Sequence, residues 1–402
     1  MSTKLSQIDF LNWNITEHDG GNRVAEAIRR TNWDKLCQRA SRLNGGLSCN
    51  LLDQSTNGLY NLVRLLQFSD QSLWIARISL RKSTAGSAIL RSEADVMQFI
   101  KDKSSLPVPR VFAYEVDENN DIGVPYILME FIPGNTAMDA AGGYEKHRGQ
   151  IPLAYRLNFY RSVAKCHLQM TALRFSKIGT IFRTQNGEYD IGPFPDIGGP
   201  FNTATQFFKA WAENAKFPRE QDEILRLMGR GPAQQVLQAI NEFPSQIKEM
   251  ASQLSQHNNG PFPLYHGDFL HSNMIVNESF EVMALIDWEG ACTLPQELIG
   301  FPGFLDTMPV QFGSSESYDA DGMPIDKEER QRRTYQQAYV QMVREIECND
   351  DILSTCLSNK KGLALAYSIM AYRNGKLGFY NKVLHEHVRA DSGGVLGDSS
   401  IT

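Results

Sequence analysis

The chain is poor in cysteine. Six occur among 402 residues, at positions 37, 49, 166, 292, 348 and 356, and no two form a CxxC pair. That scatter gives no zinc framework and no disulfide scaffold, so a reducing, cytoplasmic setting is the expectation. No window approaches the roughly 18 apolar residues of a membrane helix. The first residues, Met1-Ser2-Thr3-Lys4-Leu5-Ser6-Gln7-Ile8, lack an apolar core of signal-peptide length. Membrane attachment is therefore not expected. Positive charge is not in excess either. Forty Lys and Arg against 46 Asp and Glu leave a net charge of −6, which removes the electrostatic case for nucleic acid. The Walker pattern G-x-x-x-x-G-K-[ST] is absent, as are internal repeats and low-complexity tracts. Nothing points to an obligate protein partner.

What is present is ordinary in bulk and informative in one place. Apolar residues make up 42% and charged residues 21%, as in globular enzymes, and the length suffices for two or three compact units. The informative string is Leu264-Tyr265-His266-Gly267-Asp268-Phe269-Leu270-His271-Ser272-Asn273-Met274-Ile275-Val276, followed by Met283-Ala284-Leu285-Ile286-Asp287-Trp288-Glu289. Apolar runs flank a polar loop that carries Asp268 and, five residues on, Asn273; a further run ends in Asp287, fourteen residues beyond. Phosphoryl transfer from ATP needs such a set. Asp268 would face the acceptor hydroxyl as base, and Asn273 and Asp287 would hold the magnesium that neutralises the phosphates. Without chemistry, the same string would be a polar turn between two core strands. His266 reads as a structural residue at the head of the loop, and His271 as a plain loop histidine.

The five-residue Asp-to-Asn offset is that of the kinase catalytic loop, with Gly267 where protein kinases carry arginine. His-Gly-Asp together with Ile-Asp-Trp-Glu resembles the aminoglycoside phosphotransferase family of small-molecule kinases. Ile178-Gly179-Thr180-Ile181-Phe182 and Gly199-Pro200-Phe201-Asn202 resemble segments of its fungal members. The resemblance implies an α+β, protein-kinase-like bilobal fold. A nucleotide-binding lobe with an N-terminal helical extension spans 1–132, a mainly helical lobe with the catalytic loop and acceptor site spans 133–389, and a flexible tail spans 390–402. It implies ATP and magnesium as cofactors and a small-molecule alcohol as acceptor.

The small-lobe residues follow from that resemblance. The turn Asp53 to Asn61 would cover the phosphates with Ser55, Asn57, Gly58 and backbone amides, although a single glycine replaces the three of protein kinases. Read alone, it is a hairpin turn. Arg77, in Leu73-Trp74-Ile75-Ala76-Arg77-Ile78, takes the place of the nucleotide-gripping lysine and keeps its charge. Glu93, sixteen residues later, would orient Arg77. Main-chain groups near Glu130 and Ile132 would meet the adenine edge.

Periodicity predicts one helix over 22–43, strands over 59–66, 73–80, 108–116 and 126–132, and a helix over 87–101. In the second lobe it predicts helices over 152–173, with Leu157, Tyr160, Ala164 and Leu168 on one stripe, then 203–215, 232–254, 327–347 and 362–381. The Gly-, Pro- and Ser-rich segment 295–323 is expected to bound the acceptor site and to order on binding. Asp306, Glu316, Asp319 and Asp321 within it would attract an amine or form a solvated acidic loop. Two alternatives share parts of the pattern. A kinase-fold protein that binds nucleotide without turnover is favoured by Arg77 alone. A protein kinase is opposed by the missing Ala-Pro-Glu segment after Asp287.

Overall fold

The computed structural model describes residues 11, 13, 21–81, 84–229, 232–348 and 352–388; the chain start and the expected tail, 390–402, lie outside them. Two helices open the described chain, α1 (Gly21–Arg30) and α2 (Trp33–Leu43). The single helix expected over 22–43 is broken by a tertiary contact. Asn32 donates its backbone N–H to the Ile122 carbonyl at 2.8 Å, and its side chain caps α2 by accepting from Lys35 N.

The small lobe is an antiparallel five-stranded sheet in the order β1-β2-β3-β5-β4. Its strands are β1 (Cys49–Asn57), β2 (Asn61–Phe68), β3 (Leu73–Ser79), β4 (Val111–Glu115) and β5 (Tyr126–Glu130). Strand β1 was not expected. Its residues are mostly polar, so it gives no apolar run, and register to β2 rather than burial defines it. Helix α3 (Thr84–Lys103) crosses the sheet and buries Ala94, Val96, Met97 and Ile100.

The second lobe carries more strand than expected. After β6 (Asn135–Thr136) and the short α4 (Gly143–His147) comes α5 (Leu153–Thr171). Tyr160 and Ala164 lie on its buried face as expected, but Leu157 is 68% exposed, because the face turns to Phe159, Val163 and His167 instead. After α5 come three short strands, β7 (Arg174–Phe175), β8 (Gly179–Arg183) and β9 (Tyr189–Gly192). Helices α6 (Ala204–Asn214), α7 (Gln221–Met228) and α8 (Ala233–Met250) follow. Then come β10 (Phe262–Tyr265), β11 (Met274–Val276), β12 (Val282–Leu285) and β13 (Cys292–Thr293). They complete a five-stranded sheet, β7-β10-β13-β8-β9, and a three-stranded one, β12-β11-β6.

Helices α9 (Lys327–Ile346), α10 (Ile352–Ser358), α11 (Lys360–Arg373) and α12 (Tyr380–Val388) close the lobe. The one helix expected over 362–381 ends at Asn374. Gly375, at φ +67°, makes the left-handed stop, and Lys376 N reaches back to the Ala371 carbonyl at 2.9 Å. Among the described residues no helix is long and apolar enough to cross a membrane. The lobes meet where α3 lies against β8. Buried Asp95 accepts from Tyr114 Oη at 2.7 Å on β4 and from Arg183 N at 2.9 Å on β8. The helix that carries Glu93 is thereby fixed to both lobes.

Candidate active site

Strand β10 delivers a buried histidine to the mouth of the cleft. The His266 ring lies 4.5 Å from that of Trp288, itself fully buried. Its Nδ1 accepts from Asp268 N at 3.0 Å, so Nε2 carries the hydrogen and donates to the Ile286 carbonyl at 3.1 Å. Burial depresses its pKa to about 4, against the small opposing pull of that carbonyl. A neutral ring with both nitrogens engaged is a strut between the Asp268 loop and the Asp287 segment.

Gly267 brings these two segments close. A Cβ there would stand 2.5 Å from the Glu289 carbonyl oxygen and 3.0 Å from Gly290. Any larger residue would push the two apart. The loop then turns at Asp268, whose carbonyl accepts from Leu270 N at 2.8 Å, and a 3-10 turn over His271–Asn273 leads into β11. Asn273 is buried, and its amide donates to the Asp268 carbonyl and to Asp268 Oδ2, both at 2.9 Å. The five-residue offset therefore makes a direct contact. The Asp268 carboxyl is raised above the ordinary carboxylate range. Burial is the main cause, the charge of Asp287 adds to it, and the Asn273 amide opposes it.

Asp287 follows β12 with φ at +62°, a costly conformation for a residue with a side chain. Its Oδ1 accepts from Arg77 Nη2 at 2.8 Å. The other terminal nitrogen of Arg77, Nη1, is in contact with Glu93 Oε1. The Asn61 amide, with its oxygen toward Arg77, accepts from Nη2 at 2.6 Å and donates to the Tyr60 carbonyl at 3.1 Å. The Arg77 and Glu93 side chains are only 11% and 4% exposed, a placement that charged groups tolerate only when paired.

Arg77, Glu93, Asp268, Asn273 and Asp287 are thus brought together. The remaining expected residues stand differently. Ser55 and Asn57 lie within β1, opposite Arg64 and Leu62, so the turn proper is reduced to Gly58-Leu59-Tyr60. Gly58 N donates to the Asn61 carbonyl at 3.0 Å. The Glu130 side chain accepts from Arg110 N at 3.0 Å and from Lys101 Nζ at 3.4 Å, and its own backbone N–H donates to the Arg110 carbonyl at 2.8 Å. Ile132 is half-buried just past the end of β5. Sequence reasoning missed Asn61 and Arg81. Arg81 forms a fork with Glu289, 2.5 Å on each arm, and its guanidinium lies 3.6 Å from the centre of the Tyr60 ring. No spacing in the sequence marks either residue.

Segment 295–323 is tied to the rest of the lobe by hydrogen bonds. Gly303 N donates to the Phe269 carbonyl at 3.0 Å, and Gln336 and Arg333 of α9 hold the carbonyls of Leu305 and Met308. Of the four acids expected to face an amine, Asp319 closes a turn and pairs with Arg330 at 2.5 Å, while Glu316 and Asp321 are exposed. Asp306 is different. Burial pushes its pKa up to about 6 against the pull of Lys376, and the Tyr265 hydroxyl feels the charge of both Asp306 and Asp268.

The chain belongs to the phosphotransferase enzyme family, whose sequence profile matches residues 55–295, more than half of the chain. Among curated fungal relatives it is similar to the mitochondrial "altered inheritance of mitochondria protein 9" of Meyerozyma guilliermondii. The two are 28% identical over 127 residues, which covers 31% of this chain and 20% of that protein. The same-named protein of Candida albicans is 53% identical over 49 residues, or 12% of this chain and 8% of that one. The chain thus matches a fifth or less of the length of these relatives. Among solved structures, Plasmodium vivax ethanolamine kinase is 14% identical, with 96% of this chain and 93% of that one covered and a TM-score of 0.44. The kinase-like bilobal fold and the family expectation hold. The cytoplasmic expectation does not: these two curated relatives are named mitochondrial proteins, and scattered cysteines cannot distinguish one reducing compartment from another.

Proposed function

We propose that the protein transfers the γ-phosphate of ATP, with magnesium, to a hydroxyl of a small molecule. The observation that carries this reading is the pair of contacts Asp268–Asn273 and Asp287–Arg77–Glu93 at one mouth of the cleft. The residues fit the cofactors. Asn273 and Asp287 offer oxygen donors, which suit a hard cation, and the Asn273 amide nitrogen is already turned to Asp268. Bound there, magnesium would neutralise phosphate charge. Asp268 accepts the acceptor's proton, and its orientation is fixed by Asn273 and by the His266 strut. Arg77 supplies a fixed positive charge, and Ser55, Asn57, Gly58 and Tyr60 lie on the hairpin above it. Main-chain groups of Glu130 and Ile132 remain our reading of the adenine edge.

On the acceptor side, Asp306 favours an alcohol that also bears an amine. Of the four acids it is the one that shares a neighbour, Tyr265, with the base.

The test is a turnover and binding comparison. Asp268→Asn should lower kcat by about 10²–10⁴-fold while nucleotide affinity is kept. Asp287→Ala should steeply raise the magnesium requirement. Normal turnover in Asp268→Asn sinks the assignment of the base. Nucleotide binding by the unaltered protein, without turnover on any amino alcohol, aminoglycoside or neutral polyol, would leave a nucleotide-binding protein instead. Use of neutral acceptors only would remove the role given to Asp306.

A further inference from the structure

We propose that Arg81 and Glu289 are a positioning pair that locks the phosphate-covering hairpin to the metal-binding segment, so that both are in register when Mg-ATP binds. This rests on the phosphotransferase reading above and concerns residues to which that reading gives no role.

Arg77 lies in β3 and Arg81 two residues past its end, and both side chains reach the segment that carries Asp287. Asp287 and Glu289 lie two apart on the opposing segment. The result is two rungs across the cleft, Arg77–Asp287 at 2.8 Å and Arg81–Glu289 at 2.5 Å. The rungs differ in chemistry. A cation bound by Asp287 competes with Arg77 for the same carboxylate, so the first rung is weakened when the site fills. Glu289 is forked onto Arg81 with both oxygens engaged and takes no part in that competition. The second rung persists when the first is loosened.

Arg81 also reaches the hairpin. Its guanidinium covers the Tyr60 ring at 3.6 Å, while the Tyr60 carbonyl accepts from Leu80 N at 2.8 Å. Tyr60 is the last residue of the turn that begins at Gly58. One side chain thus touches the hairpin above the phosphates and the segment that carries Asp287. The pair is only 20% and 24% exposed, so solvent screens it weakly. Gly267 presses against the Glu289 carbonyl from below, so a shift of Glu289 is passed on to the Asp268 loop.

The experiment titrates the full chain with a fluorescent ATP analogue plus magnesium and follows melting temperature in parallel. Glu289→Gln and Arg81→Gln should each weaken binding about tenfold, inside the 5–150-fold range of coupled sites. KM for Mg-ATP should rise while KM for the acceptor is unchanged. Tyr60→Leu should weaken binding as well, and its effect should largely vanish in the Glu289→Gln background. The exchange Arg81→Glu with Glu289→Arg should recover part of the affinity, which a loss of general stability would not allow. Wild-type affinity in Glu289→Gln overturns the proposal, as does full additivity with Tyr60→Leu. Should Arg81→Gln misfold, Arg81→Lys keeps the charge but not the fork and must give an intermediate affinity. If the unaltered protein itself fails to bind Mg-ATP, the phosphotransferase reading falls first and this one with it.

Discussion

Asp268 must be ionised to take a proton, and its surroundings oppose ionisation. Burial and the charge of Asp287 both raise its pKa, and only the Asn273 amide lowers it. A base acts when deprotonated, so activity should rise with pH through this raised value. The acid limb of kcat/KM is expected above the ordinary aspartate value of about 3.9. A pH-rate profile checks it, and a limb at or below that value would place the proton acceptor elsewhere. Arginine at position 77 also gains a reason at this scale. Its two terminal nitrogens serve Glu93 and Asp287 separately, and Asn61 shares the second. A lysine has one nitrogen for the same three partners. Arg77→Lys is therefore not conservative. It should cost on the order of 1.5–3 kcal/mol of nucleotide or transition-state binding, read as a tenfold or larger rise in Kd or KM. Unchanged binding would mean that the hairpin alone holds the phosphates.

At the scale of elements, the site depends on how closely two loops approach. Gly267→Ala places a methyl 2.5 Å from the Glu289 carbonyl, and backbone cannot yield as a side chain does. The expected outcome is a loss of about 1–3 kcal/mol of stability together with a fall in kcat/KM, read by urea unfolding and turnover. A variant that is both stable and active would show that the loops have slack. This approach explains why His-Gly-Asp was legible as a motif: strand, loop and strand are local, and their residues meet without help from distant chain. Elements set by distant contacts were not legible. The break at Asn32 needs Ile122, and β1 needs its pairing to β2. The order of segment 295–323 needs carbonyl contacts from α9, which no composition rule foresees. Arg81 was missed for the same reason, since Glu289 lies across the fold, whereas Asn61 meets Arg77 only through the pairing of β2 with β3.

For the whole molecule, two histidines buried in the large lobe make folding sensitive to acid. His167 on α5 is 3% exposed beside Tyr339 of α9, and burial lowers its pKa to about 3; for His266 the value is about 4. In the unfolded chain both should titrate near 6.5. The unfolded state therefore binds more protons below about pH 6.5, and the stability these neutral rings contribute above that value is lost as pH falls toward 4 and 3. Between pH 7 and pH 5 the loss is roughly 2 kcal/mol for each ring. Asp306 works in the opposite direction. Its folded pKa of about 6 lies above the unfolded value, so over the same interval its protonation favours the folded state by about 1 kcal/mol. From these three groups the expectation is a fall in unfolding free energy of roughly 2–3 kcal/mol from pH 7 to pH 5. Asp306→Asn should remove the offset and widen the fall, while His167→Gln should narrow it, provided that the variant folds. Urea unfolding of the three proteins at both pH values tests this. Equal stability of the unaltered protein at pH 7 and pH 5 would mean that the rings are open to protons in the folded state, and with His266 open, the strut beneath Asp268 would not be rigid.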